Sequence, residues 1–176
     1  MPAAQRVDIG TRVGRMKLLR RYLAWKLLRW LILAGLVLFG LAQAIPYGRD
    51  HKPPPTRNVI RWDSPTTRTL ALAACADCHT NLTVWPWYSK IAPISWLAQH
   101  DVSDGRGAFN LSTLDLTGPR VNELLQEIGE NARSGEMPPL QYKLIHGKAR
   151  LSAQQRTQLA DGLQRTLRAM IAAGGR

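Results

Sequence analysis

A nineteen-residue apolar run constrains this chain more than any other feature. The run, LLRWLILAGLVLFGLAQAI, covers residues 27–45 and contains a single charged side chain, Arg29. As an α-helix it would be about 28 Å long at 1.5 Å per residue, close to the thickness of the hydrocarbon core of a bilayer. Residues 31–41 have no polar face, which argues against a buried core helix. The run therefore predicts a transmembrane anchor.

The charges beside this run predict its orientation. The chain has a net charge of +12, and residues 1–30 supply most of it, with eight Lys or Arg against one acid. Because basic flanks stay on the cytoplasmic side, residues 1–26 are predicted to form a basic cytoplasmic N-terminus and residues after 46 to lie outside. An excess of charge next to a membrane span also removes the main reason to expect nucleic acid as a partner.

A cleaved signal peptide is the alternative to an anchor. Residues 42–44 read AQA, the small-x-small form of a cleavage site, and residues 31–41 could serve as the apolar region of a leader. The length of the run and its extended basic lead-in favour the uncleaved anchor. In both interpretations the rest of the chain is exported.

The exported part divides into a linker and one domain. Residues 46–58, PYGRDHKPPPTRN, are rich in proline, which predicts an extended, semi-rigid spacer. Residues 59–176 are long enough for a single small hydrophobic core.

Helical signals run through the domain, and no convincing alternating strand is visible. Ser64 and Pro65 have the residue types of an N-cap and a first helical position, so a helix is predicted to lead into the sequence ACADCH. A second, short helix is predicted over residues 93–102. We therefore expect an all-α domain of about four helices.

The remaining two helices also have recognisable ends. One is predicted to begin near Pro119 and to end at Gly135. The last begins at Ser152, where Gln155 can complete a capping box. Gly162 interrupts this last helix, which either close approach to another helix or simple tolerance of a poor helix former would explain.

The two cysteines of the chain, Cys75 and Cys78, lie three positions apart, and His79 follows directly. Cys-x-x-Cys-His is the signature of c-type haem attachment. Two thiols at the end of one helical turn can reach the two vinyl groups on one porphyrin edge, and the next residue then offers its imidazole to the iron. We therefore predict one covalently bound haem c per chain.

Three other chemistries compete for the same cysteines. A structural zinc site usually needs four protein ligands, and the chain has no second cysteine pair. A thioredoxin-like motif needs a βαβ setting, which the helical pattern does not provide. A plain disulfide is the last alternative; export permits it, but so short a loop would stabilise little.

Electron-transfer haem needs a sixth iron ligand, and Met137 is the best candidate. Met1 and Met16 fall on the cytoplasmic side of the span, and Met170 is most simply a core residue of the last helix. Met137 stands in the loop sequence SGEMPPLQY, 58 residues after His79, where two prolines stiffen the chain. A methionine that merely fills a gap under the loop is the alternative.

Other side chains are candidates for the haem pocket. Histidine is the commonest metal ligand, which makes His100 and His146 rivals for the sixth position. Aromatic side chains could wall a porphyrin or bind its propionates, although they could equally form a compact core. The pocket candidates are Trp85, Trp87, Tyr88, Trp96 and Arg106.

The chain resembles a family of membrane-anchored bacterial proteins with a small haem-binding domain. The matching pieces are QAIPYGRDHKPPP, CADCHTNLTVWPWYSKIAPISWL, HDVSDGR, FNLS and SGEMPPLQYKLIHGKARLS. The resemblance implies a fold similar to class I cytochrome c, with a C-terminal helix packed across the first helix of the domain. It also implies covalent haem on Cys75 and Cys78, a proximal His79 and a distal Met137.

These features predict a monohaem cytochrome c anchored in the bacterial inner membrane, with its haem domain in the periplasm. We expect an electron carrier rather than an enzyme, with the membrane and redox proteins as partners. If the sixth position were open or labile, the protein could instead act as a peroxidase or as a sensor of gas or redox state. A non-redox interaction module stabilised by haem is a third interpretation.

Overall fold

The structure is a computed structural model that describes residues 9–57 and 59–174. Its described residues form helices and contain no strand, which confirms the predicted all-α class. The chain divides into two compact units, Met1–Pro46 and Tyr47–Arg176. Residues 1–8, where the predicted basic N-terminus begins, lie outside the described residues, as do Asn58 at the end of the predicted linker and residues 175–176.

The described part of the first unit contains one helix, α1, which runs from Ile9 to Gln43. The helix extends N-terminally beyond the predicted span, into the basic segment that precedes it. Residues 15–43 are long and apolar enough to cross a membrane. A signal sequence near an N-terminus passes the same test of length and composition.

The second unit contains six α-helices and two short 3₁₀ helices among the described residues. The four long helices include the four predicted ones, although the helix predicted over residues 93–102 continues six residues further. Two short helices carry too few residues to show a periodic pattern, and the sequence did not predict them as separate elements. The α-helices are α2 (Pro65–Ala74), α3 (Ala76–His79), α4 (Ile94–Ala108), α5 (Val121–Ser134), α6 (Leu140–Ile145) and α7 (Ala153–Gly174), and the 3₁₀ helices are Trp87–Lys90 and Gly147–Ala149.

Both predicted N-terminal caps are present. The Ser64 Oγ accepts a hydrogen bond from the Thr67 backbone N–H at 3.1 Å, at the start of α2. At α7, the Ser152 Oγ accepts from the Gln155 backbone N–H at 3.2 Å, and the Gln155 side chain accepts from the Ser152 N–H at 2.8 Å. These bonds satisfy amide groups that a helix leaves unpaired at its first turn.

The core lies where α7 packs against α2 and α5. Met170 packs against this core, as the sequence predicted for the last helix. Apolar contacts therefore hold the helices α2, α5 and α7 against one another. The buried cluster comprises Leu70, Ala71, Ala74, Leu111, Leu125, Ile128, Leu159, Leu163 and Leu167.

Gly162 lies at a close approach of α7 to α2. A Cβ at this position would lie 2.8 Å from Cγ2 and 2.9 Å from Cβ of Thr67, closer than packed carbon atoms allow. The glycine is therefore explained by close helix packing, which was one of the two explanations that the sequence left open.

The segment predicted as an extended, semi-rigid spacer contacts the domain at particular points. Gly48 is buried with φ +75°, and a Cβ there would collide with the backbone carbonyl of Ser95. Further along, the Pro55 carbonyl accepts a hydrogen bond from the Asn81 side chain at 2.8 Å, although residues 52–57 are exposed. Proline content alone does not reveal these nonlocal contacts.

We predict that Gly162→Ala destabilises the protein by about 1 to 3 kcal/mol, because the added methyl group forces α7 away from α2. The matched control is Gly107→Ala on α4, where a Cβ meets nothing within 4 Å. That change should leave stability equal or raise it by up to about 1 kcal/mol, since alanine favours a helix. Thermal unfolding followed by circular dichroism measures both, and equal effects of the two changes would contradict the close-packing explanation.

Candidate functional site

A cavity of about 660 Å³ opens beside the core of the second unit. Residues of α2, α3, α4, α5 and α6 line it, together with the segment that leads from α5 into α6 and with Leu163 of α7. Cys75, Cys78, His79 and Met137 all face this one cavity. Its volume is within the range of a pocket for a small organic molecule or cofactor.

The cysteines and the histidine share one helical turn. The backbone N–H groups of Cys78 and His79 both donate to the Cys75 carbonyl, at 3.2 and 2.9 Å. The wall is completed by α4, which comes close because residue 105 is glycine. A Cβ at Gly105 would lie 2.9 Å from both Cβ and the carbonyl oxygen of Cys78. The close crossing of α3 and α4 thus depends on the absence of a side chain at this position.

The thiol groups are in an environment that keeps them protonated. Burial, with a smaller effect from the neighbouring Cys78, raises the pKa of Cys75 to about 12. Burial, together with the carboxylates of Asp101 and Asp77, raises the pKa of Cys78 to about 11. Since disulfide exchange proceeds through a thiolate, this environment disfavours the redox-motif interpretation.

His79 is oriented by the carbonyl group of Phe109. The imidazole Nδ1 lies 3.1 Å from that oxygen, and because a carbonyl only accepts, Nδ1 must carry the proton. The second ring nitrogen, Nε2, is then an unprotonated donor of electrons to a metal. The Phe109 ring stacks on the imidazole at 3.9 Å, and burial lowers the pKa of His79, so that the ring stays neutral.

The segment Phe109–Asn110–Leu111–Ser112 holds the turn after His79. The Leu111 N–H donates to the His79 carbonyl at 2.8 Å, and the Asn110 side chain donates to that of Asn81 at 2.7 Å. The Asn81 N–H in turn donates to the Ser112 hydroxyl at 2.9 Å. No local pattern in FNLS predicts this role, because the partners of these residues are about thirty positions away.

Met137 lines the same cavity and lies in the segment between α5 and α6. Gly135, with φ +84°, ends α5 in the left-handed conformation as predicted, and the Met137 N–H donates back to the Asn131 carbonyl at 3.2 Å. Pro138 is buried behind it. The Met137 side chain is 44% exposed, so its thioether lies at the mouth of the cavity.

The two rival histidines have other partners. His100 is mostly exposed, and its Nε2 pairs with the Asp104 carboxylate at 3.2 Å. His146 uses both ring nitrogens: Nδ1 donates to the Tyr142 carbonyl and Nε2 accepts from the Tyr88 hydroxyl, each at 3.1 Å. Neither is among the described residues that line the cavity.

The five other pocket candidates also lie outside the described lining of the cavity. The Arg106 guanidinium donates to the Thr80 carbonyl and to the Thr83 hydroxyl, both at 2.9 Å. Arg106 therefore fixes the loop that follows the cysteine motif. Trp85 stacks on His51, Tyr88 bonds to His146, Trp87 is 76% exposed, and Trp96 is half-buried on α4.

Asp77 and Tyr142 are lining residues that the sequence analysis missed. The Tyr142 hydroxyl donates to the Asp77 Oδ2 at 2.7 Å. Burial and the Asp77 carboxylate raise the pKa of Tyr142, which keeps the phenol protonated as a donor. The only available signal was the polar residue between the two cysteines, and no local pattern pointed to its partner 65 positions away.

The donor set suits a haem better than a bare metal ion. Within residues 9–57 and 59–174, no cluster of three or more His, Cys, Asp or Glu side chains could hold a metal ion alone. The lining of the cavity instead includes two thiols, a neutral imidazole and a thioether. Imidazole and thioether are an established ligand pair for haem iron, and the spacing of the two thiols is that of covalent haem attachment.

Comparison with known families agrees with this chemistry. Residues 37–165 match the family described as the haem-binding domain, a stretch that covers most of the chain and the whole cavity lining. No curated protein and no solved structure matches the chain. The chain therefore belongs to the haem-binding domain family.

Proposed function

We propose that this protein is a membrane-anchored monohaem cytochrome c that transfers single electrons on the periplasmic side of the inner membrane. The observation that carries the proposal is the meeting of Cys75, Cys78, His79 and Met137 in one cavity. Membership of the haem-binding domain family supplies the cofactor class, and the residues supply the mode of attachment.

Each residue of this set has a distinct role in the proposal. The Cys75 and Cys78 thiols would each add across a vinyl group of the haem and so attach it to the cysteine motif. His79 would bind the iron through Nε2, since the Phe109 carbonyl holds the protonated Nδ1. Met137 would supply the sixth ligand. When bound, the haem supplies reversible one-electron chemistry, which a His/Met pair shifts to higher potential.

The surrounding side chains adjust that potential. Four carboxylates line the cavity, and its described lining contains no Lys or Arg. Negative charge near the iron favours the ferric state, which carries one more positive charge, and so opposes the effect of Met137. The four are Asp77, Asp101, Asp104 and Glu127.

The arrangement of long helices supports the likeness to class I cytochrome c. The last helix, α7, packs across α2, which leads into the cysteine motif, and α5 leads directly into the Met137 segment. The apolar part of α1 and its basic flank support an anchor with a cytoplasmic N-terminus. An anchored carrier is concentrated near membrane-bound redox partners, which suits electron transfer.

A second candidate function follows from the 44% exposure of Met137. A ligand at the mouth of the cavity can be displaced more easily than a buried one, and an open sixth position permits peroxidase chemistry or gas sensing. Rapid binding of carbon monoxide by the reduced native protein would favour this function over electron transfer.

The first prediction concerns the covalent bonds. Protein produced with a haem-maturation system should keep one haem per chain after unfolding, and its mass should exceed that of the polypeptide accordingly. Cys75→Ala combined with Cys78→Ala should lose the haem on unfolding, whereas His100→Ala, which changes an exposed ion pair, should keep it. A bare polypeptide mass in correctly matured wild-type protein would overturn the proposal.

The second prediction concerns the sixth ligand. The ferric protein should show the weak far-red band of methionine bound to iron, and Met137→Ala should abolish it while leaving the haem attached. Met170→Leu is the matched control, because Met170 packs against the core. A high-spin spectrum in the wild-type protein would contradict the role of Met137.

The third prediction concerns the anchor. Mature protein isolated from membranes should retain residues 1–44, because α1 is proposed to stay in the bilayer. Mass spectrometry of the intact chain measures this directly. A mature chain that begins after Ala44 would show that the apolar run is a cleaved leader and that the domain is soluble.

A further inference from the structure

Asp77 lies between the two cysteines and uses both oxygens of its carboxylate. Its Oδ1 accepts a hydrogen bond from the Val84 backbone N–H at 2.9 Å, and its Oδ2 accepts from the Tyr142 hydroxyl at 2.7 Å. The first bond stays within the loop that follows the cysteine motif. The second crosses to α6, so it joins the wall that carries the cysteines to the segment that carries Met137.

The ring of Tyr142 is also fixed on its other side. The His146 imidazole stacks on it with 3.9 Å between centroids and an angle of 17°. His146 is itself held, because its Nδ1 donates to the Tyr142 carbonyl and its Nε2 accepts from the Tyr88 hydroxyl. The Tyr142 hydroxyl cannot leave Asp77 by a simple ring rotation without disturbing this stack.

Only a short and stiff piece of chain separates Tyr142 from Met137. Pro138 and Pro139 follow Met137, and α6 begins at the next residue. Because proline restricts φ and helix fixes the backbone after it, a displacement of Tyr142 must move Met137 as well. At its other end the segment is held by the hydrogen bond from the Met137 N–H to Asn131.

The second side-chain bond across the cavity is weaker. Gln141 donates to the Asp101 carboxylate at 3.2 Å, and both partners are in contact with solvent. Such a bond exchanges readily with water, whereas the bond from Tyr142 is shorter and half-buried. The Tyr142–Asp77 bond is therefore the stronger of these two links across the cavity.

We propose that Tyr142 is a positioning residue that holds Met137 at the iron through its hydrogen bond to Asp77. The inference rests on the proposed function, since it assigns Met137 the sixth position. Tyr142 itself does not touch the iron. Its hydrogen bond to Asp77 determines how often the Met137 segment opens and admits another ligand to the iron. This frequency distinguishes an electron carrier from a haem protein that binds external ligands.

The test is ligand binding by the ferric, fully matured protein. Tyr142→Phe keeps the ring that stacks on His146 and removes only the hydroxyl. We expect imidazole to bind the variant about tenfold more tightly than the wild-type protein, because a hydrogen bond to a charged carboxylate is lost. The far-red band should weaken in parallel. Tyr47→Phe is the matched control, since it removes a phenol hydroxyl from a half-exposed tyrosine outside the described lining of the cavity, and it should change the affinity by no more than about twofold.

Two outcomes are distinguishable. If the wild-type protein lacks the far-red band, the proposed ligand set is wrong, and this inference fails with it. If the band is present but Tyr142→Phe binds imidazole as the wild-type protein does, the positioning role is overturned and the proposed function stands. A double variant with Asp77→Asn adds a second measurement: its effect should be smaller than the sum of the two single effects, and additive effects would show that the bond does not carry the change.

Discussion

The hydrogen bond from His79 to the Phe109 carbonyl joins two segments that are thirty residues apart, and the geometry of the site depends on it. It selects the tautomer of the imidazole, leaves Nε2 unprotonated and keeps the ring against Phe109. Without this bond the imidazole could rotate and would have no defined orientation beside the two cysteines. The hydrogen bonds from residues 110–112 to the same turn hold the carbonyl in place.

Close backbone contacts at two glycines place this turn within the domain. Gly105 allows α4 to cross against Cys78, and Gly162 allows α7 to approach Thr67 on α2. The first contact forms one wall of the cavity, and the second ties the helix before the cysteines to the core. Since α5 packs on α7 and ends just before Met137, the same core also places the opposite wall. The same packed core therefore positions both the cysteine motif and the Met137 segment.

Much of this arrangement could be predicted from local sequence. The caps at Ser64 and Ser152, the helix stop at Gly135 and the long apolar helix each depend on residues within a few positions of one another. The cysteine motif is equally local, because one turn of helix brings its three residues together. The contacts that could not be predicted involve distant partners. Arg106 donates hydrogen bonds to residues 80 and 83, and His146 bonds to Tyr88. Neither Arg106 nor His146 is in the described lining of the cavity.

The sequence by itself determined the class of cofactor and the helical character of the domain, and it supplied the candidate residues for haem binding, because these follow from spacing along a helical turn and from composition. Only the tertiary structure decided which ring nitrogen of His79 carries the proton, that Pro55 contacts the domain, and that Tyr142 reaches Asp77. Each of these depends on hydrogen bonds between groups far apart in the chain. Such partners are chosen by the packing of the whole fold, and no local pattern of residues encodes them.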